Sequence, residues 1–336
     1  MNKLLIFIGI LSFFAISACK NGTNYRPKTI TGKPGETVVV ISDELWESEL
    51  GSVIRKTLTQ PQLGLPQEEP LLDVIKVPHD AFKDLFKKNR NIITTNISAK
   101  INEPTISFTK DTWAYPQIVI KLSAKEEKEL TTLFQENAEK ILAILLRTEK
   151  ERLMDEYAQH SDRGIDKVLQ DKHDLSIKVQ QGFFIAKDTS DFVWLRYETP
   201  KISQGIFLWF QDYTEENMFT PEKIIEHHNE MLQKYVPGPT AGSYMQTEHR
   251  LEPLVNTIVL NENYTTEIRG LWTVESDFMG GPFISLSILD PIRNRIVTAM
   301  GWVFAPKFDK RNFLREVEAM VYSVKFPDQE AMKQGE

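Results

Sequence analysis

The chain has 336 residues, of which 41% are hydrophobic and 26% are charged, a composition typical of globular proteins. The formal net charge is −7 with both signs interspersed, which excludes the basic surface that nucleic-acid binding needs. A single cysteine excludes internal disulfides and cysteine-based zinc sites. The length is sufficient for one large domain or two ordinary ones.

The N-terminus has the pattern of a bacterial lipoprotein signal. Residues 1–18 carry one charge, Lys3, and an apolar core that is too short to span a bilayer. They lead into Ile-Ser-Ala-Cys, which ends at Cys19 and resembles a lipobox, the motif in which the cysteine thiol is diacylated and the preceding peptide bond is cut. The alternative is a secretory signal or anchor helix with a cysteine nearby by chance. We expect a lipidated Cys19 that binds the bilayer and, since Lys20 and not aspartate follows, an outer-membrane address.

The next residues predict a tether and then an N-terminal unit. Residues 19–35 are polar and rich in glycine and proline, which is typical of a flexible linker. The unit spans 36–163 and begins with an apolar strand at 37–41. It closes with a long helix over about 124–159, preceded by Ser123 and Glu126 at capping-box spacing. Further strands are predicted at 72–77, 91–97, 105–108 and 117–122.

A strand-rich C-terminal unit is predicted over 164–326, followed by a polar tail at 327–336. Gly164 marks the boundary, and Thr220-Pro221 predicts the start of an internal helix. Asp309 is expected to cap a last helix. The strand candidates are 176–185, 192–198, 205–213, 243–248, 257–260, 266–274, 283–289 and 295–304. The pattern predicts an α+β fold with two units of mainly antiparallel sheet, each with amphipathic helices on one face.

The sequence contains none of the spacings that would indicate a specific chemistry. It has no glycine-rich phosphate loop, His-Glu-x-x-His, Gly-x-Ser-x-Gly or EF-hand loop. His227 and His228 are adjacent on a predicted helix and therefore do not share a face. We expect no metal and no cofactor.

The first candidate site is the segment from Arg269 to Phe283. Period-two alternation places Arg269 and Trp272 on opposite faces of a strand, and Gly280-Gly281-Pro282 predicts a special turn with Asp277 and Met279 at its lip. The functional interpretation is a binding lip, with Arg269 as anion donor and Trp272 as an apolar platform. The alternative is a tight hairpin with a core tryptophan and a surface ion pair.

The second candidate site is the start of the last helix, where Lys310 and Arg311 follow Asp309. Cations are unfavourable near the positive end of a helix dipole, by about 0.3–1 kcal/mol each. Their position indicates that they pair with a carboxylate or with a bound anion. The alternative is a solvated helix start.

Several segments resemble an uncharacterised lipoprotein family that is catalogued as a domain of unknown function and is typical of Bacteroidota. They are Gly64–Pro70, Arg90–Ile92, Arg269-Gly270-Leu271-Trp272, Met279-Gly280-Gly281-Pro282-Phe283 and Lys310-Arg311. The resemblance implies a cell-envelope lipoprotein and brings no activity, substrate or catalytic residue.

We therefore predict a membrane-anchored envelope lipoprotein that acts as a non-enzymatic binding or assembly module. Its candidate surface joins the lip, with Arg269, Trp272, Asp277 and Met279, to Lys310 and Arg311. The partner would be an envelope protein or polymer. The alternative is an envelope hydrolase that uses Asp277 or Glu275 beside Arg269.

Overall fold

The structure is a computed structural model that describes residues 28–327. The signal segment 1–18, the lipidation residue Cys19, residues 20–27 of the expected tether and residues 328–336 of the expected tail lie outside the described residues. Within 28–327, no helix combines the length and the hydropathy that a membrane span requires.

Six α-helices and fifteen strands are present between residues 28 and 327. The helices are α1 (Asp43–Glu47), α2 (Glu49–Leu58), α3 (Glu127–His160), α4 (Arg163–His173), α5 (Pro221–Tyr235) and α6 (Arg311–Val321). The strands are β1 (Lys28–Thr29), β2 (Glu36–Val40), β3 (Asp73–Val77), β4 (Asn91–Ile97), β5 (Thr105–Lys110), β6 (Ala114–Tyr115), β7 (Ile118–Ala124), β8 (Phe184–Asp188), β9 (Phe192–Glu198), β10 (Ser203–Asp212), β11 (Met245–Thr247), β12 (Leu254–Leu260), β13 (Asn263–Val274), β14 (Gly280–Asp290) and β15 (Arg295–Phe304). The predicted α+β class is confirmed.

The first sheet has the strand order β3-β2-β4-β7-β5, and its direction differs from our expectation. The pairs β2–β3, β2–β4 and β4–β7 are parallel, and only β5 joins antiparallel. The expectation of a mainly antiparallel sheet in this unit was therefore wrong. The physical reason is visible in β2. Val38 and Val39 point to opposite faces of the sheet and are both fully buried, as in a parallel sheet, which is covered on both faces. Helices α2 and α3 cover one face, as predicted, and Phe82, Phe86 and Trp113 pack on the other.

Residues 28–35, which we expected in the tether, belong to the fold. Strand β1 pairs in parallel with β6, and the backbone of Thr31 exchanges hydrogen bonds with Lys88 and Arg90. The Gly35 amide donates to the buried carboxylate of Glu149, at 3.0 Å. The glycines of this segment therefore allow tight turns in the fold, and Gly35 has a positive φ of 84°.

The second sheet has eight strands and is antiparallel throughout, as expected. Its order is β11-β13-β14-β15-β10-β9-β8, and β12 pairs with β13 beside β11. Helices cover both faces, which corrects the expectation of one covered face. Helices α4 and α6 pack on the side that includes Ile206 and Val297, whereas α5 packs on the side that includes Phe207 and Met300.

Helix α3 connects the two hydrophobic cores. Leu130, Phe134 and Leu145 pack in the first core, and Tyr157, near the C-terminal end of the helix, packs in the second. The next helix, α4, was not expected, because we placed the boundary between the two units at Gly164. Gly164 instead lies in its first turn, where its amide donates to the side chain of the N-cap residue Asp162, at 2.9 Å.

Candidate functional site

Strand β13 distributes the residues of the first candidate site over two faces of the second sheet. Trp272 is buried on the side of α5, in the same cluster as Ile268 and Val274. Arg269, three positions earlier, reaches Glu318 of α6 on the opposite side. The predicted alternation is confirmed, and it means that Arg269 and Trp272 belong to two separate sites.

Arg269 lies between two carboxylates that occupy its donors. Its Nε and Nη2 donate to Glu267 at 3.0 and 2.9 Å, and its Nη1 and Nη2 donate to Glu318 at 3.2 and 2.8 Å. Lys150 of α3 adds a contact to Glu318 at 3.3 Å. Burial alone would raise the pKa of Glu318, but Arg269 and then Lys150 hold it at about 2. The guanidinium expected to donate to a bound anion is thus neutralised by the protein itself.

Arg269, Glu318 and Lys150 lie on the wall of a cavity of about 700 Å³, which we call the junction cavity. It opens where α3 and the loop before β3 meet α6 and β13. Glu318 is the one carboxylate among its lining residues, whereas five of them are cations. Its other lining residues are Gln62, Leu71, Lys140, Ala143, Ile144, Leu146, Arg147 and Arg315.

Trp272 and Met279 line a smaller cavity of about 270 Å³, which we call the aromatic cavity. Its walls include Trp194, Trp302 and Phe304 as well as Met245 and Val274. The Trp272 ring meets the Trp302 ring edge-on, with centroids 5.6 Å apart, and its Nε1 donates to the Val303 carbonyl at 3.2 Å. Trp272 is therefore both part of the core and an apolar wall, so the two interpretations of this residue are compatible.

The lip of the first candidate site is the turn at residues 275–279, between β13 and β14. The Asp277 carboxylate accepts a hydrogen bond from the Met279 amide at 2.9 Å, and Asp277 and Met279 are half-buried. Between them Phe278 is fully exposed. Gly280 and Gly281 are not in this turn, which corrects our expectation, because they lie inside β14. A Cβ at Gly281 would be 2.0 Å from the Val303 oxygen, so glycine permits close approach of β15.

Arg311 pairs with a carboxylate of the first half of the chain, as one of the two interpretations required, whereas the Lys310 ammonium group bonds to neutral oxygens. The Arg311 guanidinium donates to both oxygens of Asp73, at 3.1 and 2.6 Å, and Lys310 Nζ donates to Gln67 at 2.8 Å. Glu69 accepts the backbone amides of Lys310 and Arg311, at 2.6 and 2.8 Å. Glu69 thus satisfies the first turn of α6 in place of the expected cap Asp309, because Lys310 is the N-cap residue.

The geometry does not bring together the residues of the hydrolase alternative. Asp277 and Glu275 follow the end of β13, and the five-residue rise from Arg269 to Val274 is about 16 Å. Glu275 is exposed and accepts from Gln246. A serine–histidine contact, Ser285 to His228 at 3.5 Å, is fully buried and lines neither cavity. Among residues 28–327, no group of three or more potential ligands could hold a metal ion.

Sequence reasoning missed Arg315 and Glu318 on α6 and the cations of α3. One signal was available, since Arg147 and Lys150 follow Lys140 by seven and ten residues, which places the three cations on one side of a helix. The wall tryptophans Trp194 and Trp302 gave no such signal, because strand tryptophans are commonly core residues.

Two family models match the chain, and they divide it between them. "Domain of unknown function (DUF8532)" matches residues 30–158, and "Domain of unknown function (DUF4837)" matches residues 162–323. No curated protein matches the sequence. Among solved structures, LpqN, described as involved in cell envelope biogenesis of Mycobacterium tuberculosis, is 12% identical, with a TM-score of 0.26 over 45% of this chain and 82% of that chain. A TM-score of that size does not establish a common fold. The two matches are consistent with the resemblance to an uncharacterised family that is catalogued as a domain of unknown function.

Proposed function

We propose that the protein is a lipid-anchored cell-envelope lipoprotein whose folded body is a non-enzymatic binding or assembly module. The anchor rests on the sequence before the fold, namely the short apolar core of residues 1–18 and the lipobox that ends at Cys19. One acyl chain gives only marginal membrane affinity, whereas two or three hold a protein on a bilayer. Lys20 after the cysteine favours the outer membrane.

The binding role is carried by one observation, the aromatic cavity with the fully exposed Phe278 next to it in the chain. Partly open pockets with aromatic walls are where apolar groups of a partner are bound, and aromatic side chains dominate the energy of protein interfaces. Met279 joins the two features, because it lines the cavity and follows Phe278. We propose that this surface binds an apolar group of an envelope protein or polymer.

The carboxylates support binding over hydrolysis. A hydrolase that works by acid–base chemistry needs a carboxyl group whose pKa lies near the working pH. The two carboxylates at Arg269 are held ionised instead, because Arg269 lowers the pKa of both Glu267 and Glu318 against the opposing effect of burial. Neither is therefore a suitable general acid near neutral pH, and no feature of the site favours the hydrolase alternative.

The anchor is tested by metabolic labelling with radioactive palmitate, using a Cys19→Ala variant as the control. We expect label on the wild-type protein, no label on the variant, and release of the variant from the membrane fraction. An unlabelled wild-type protein would refute the anchor and leave the binding role untouched.

The binding role is tested by replacing Phe278 with the photo-crosslinker p-benzoylphenylalanine, which preserves an aromatic group at this position. Leu85 offers a matched control, because it is a highly exposed apolar residue in the other half of the chain. Illumination of envelope fractions should give a crosslinked species from position 278 and none from position 85. Identical crosslinking patterns, or none at position 278, would refute a partner at this surface.

A further inference from the structure

The charges around the junction cavity balance only in part. Glu267 and Glu318 are matched by Arg269 and Lys150, which contact them at 2.8–3.3 Å. Three other cations lie on the wall, namely Lys140, Arg147 and Arg315. Arg147 has only the exposed Glu151 at 3.6 Å, and Lys140 contacts the ring of Phe108. In the described part of the chain, neither Lys140 nor Arg315 has a carboxylate within 4 Å.

Arg315 is the most informative of the three cations. Its Nη2 donates to the Leu71 carbonyl at 2.7 Å and reaches Gln62 at 3.5 Å, and both of these residues line the cavity, whereas its Nη1 is buried beside Gly35, outside the lining, without a hydrogen-bond partner among residues 28–327. Burial, and then repulsion from Arg311, lowers the pKa of Arg315 to about 10. Removing a charge from water is costly unless an opposite charge replaces the lost hydration. Glu149, Glu318 and Asp73 oppose this lowering of the pKa, but none of them lies within 4 Å of Arg315.

The wall between these cations is apolar. Leu71 lies on one side, and Ala143, Ile144 and Leu146 of α3 lie on the other. Ile144 and Leu146 pack against the edge of the first core and remain half-buried, and Ala143 is exposed. A cavity of about 700 Å³ falls within the range of about 300–1,000 Å³ that is usual for small-molecule sites. It therefore offers contact area to an apolar group as well as charge to an anion.

We propose that the junction cavity binds an amphiphile that carries a phosphate group. The phosphate lies between Arg315 and the pair Lys140 and Arg147, and the apolar part lies against Leu71, Ile144 and Leu146. Lys140 and Arg315 have no carboxylate within 4 Å and Arg147 has only the exposed Glu151 at 3.6 Å, which suits a group that carries one to two negative charges. Arginine binds phosphate through two parallel hydrogen bonds. The site is on the opposite side of the second sheet from the aromatic cavity. It is therefore independent of the surface assigned to the partner, and each proposal can fail alone.

The test uses the full-length protein in non-ionic detergent and native mass spectrometry, which removes the detergent and counts bound molecules. The probes are dihexanoyl phosphatidic acid, dihexanoyl phosphatidylcholine and inorganic phosphate, each added separately. We expect one adduct of phosphatidic acid, and a weaker affinity by at least tenfold in Arg315→Gln, because a hydrogen bond to a charged group is lost. Arg163→Gln is the matched control, since Arg163 is exposed and lies outside the cavity lining.

Each other result refutes the proposal. Equal binding of phosphatidylcholine would mean that charge is not recognised, and equal binding of inorganic phosphate would mean that the apolar wall contributes nothing. Unchanged affinity in Arg315→Gln would exclude the site itself. Should that variant fail to fold, a Lys140→Gln, Arg147→Gln double variant replaces it, because both side chains are exposed. An unchanged affinity in this double variant would refute the proposal in the same way.

Discussion

Glu69 should contribute more to stability than a loop glutamate ordinarily does, because it satisfies the first turn of a helix in the other half of the chain. It is buried, and its two oxygens accept the amides of Lys310 and Arg311 at 2.6 and 2.8 Å. In Glu69→Gln one side-chain oxygen remains as an acceptor. The new NH2 group is a donor and faces a backbone N–H, which is also a donor, so no hydrogen bond forms between them. Loss of a helix cap costs about 0.5–2 kcal/mol, and loss of the negative charge at the positive end of the helix dipole adds about 0.3–1 kcal/mol. The unpaired buried N–H adds about 1–3 kcal/mol. We expect a total loss of about 2–6 kcal/mol.

Urea unfolding monitored by tryptophan fluorescence measures this loss well, since four of the six tryptophans, at positions 194, 209, 272 and 302, lie in the half that contains α6. The matched control is Glu68→Gln, because Glu68 is the exposed neighbour in the same loop. The control should change the free energy of unfolding by less than about 0.5 kcal/mol, as exposed substitutions usually do. A loss as small in Glu69→Gln as in the control would refute the idea that Glu69 caps α6.

Three further predictions concern Gly281, Glu318 and Arg315. Gly281→Ala should destabilise the protein by at least about 1–3 kcal/mol, measured by the same urea unfolding, because its Cβ would be 2.0 Å from the backbone oxygen of Val303. Glu318 has a folded-state pKa of about 2, below its unfolded value of about 4.3, so its stabilisation is complete above about pH 5 and is lost as the pH falls toward 2. The stability difference between wild type and Glu318→Gln should therefore shrink from pH 5 to pH 2, and a constant difference would contradict the assignment. Arg315→Met should leave the stability of the ligand-free protein unchanged or raised, since it removes a buried cation that lacks a carboxylate; a loss above about 2 kcal/mol would contradict this.

The elements that the sequence predicted correctly are those with a strong local signal. Thr220-Pro221 indicated the start of α5, and the strand candidates 283–289 and 295–304 correspond to β14 and β15. The direction of the first sheet had no such signal. The run Val38–Ile41 showed that both faces of β2 are buried, but period alone does not tell which strand pairs with it or in which direction. That information lies in contacts between distant residues, such as the parallel register of Val38 with Ile92.

The same distinction between local signals and distant contacts applies to the candidate site. Alternation along β13 placed Arg269 and Trp272 on opposite faces, and the helix dipole indicated that Lys310 and Arg311 need partners. The partners themselves are far away in sequence, since Arg269 bonds to Glu318 and the α6 amides bond to Glu69. A single sequence gives no pairing between such distant positions. The site that we infer at Arg315 depends on a buried charge without a carboxylate in contact, and this becomes visible only when the ion pairs around the cavity are known.

Helix α6 determines how the two halves of the chain depend on one another. Its apolar residues Leu314, Val317 and Met320 are buried in the second core, whereas Glu69 caps its first turn from the first half. Glu318 adds a contact to Lys150 of α3. The junction cavity has walls from both sides of this contact, so a ligand bound there requires both halves to be in place. Any molecule that binds only the assembled junction stabilises it by its own binding free energy. Occupancy of the cavity and the association of the two halves are therefore thermodynamically linked.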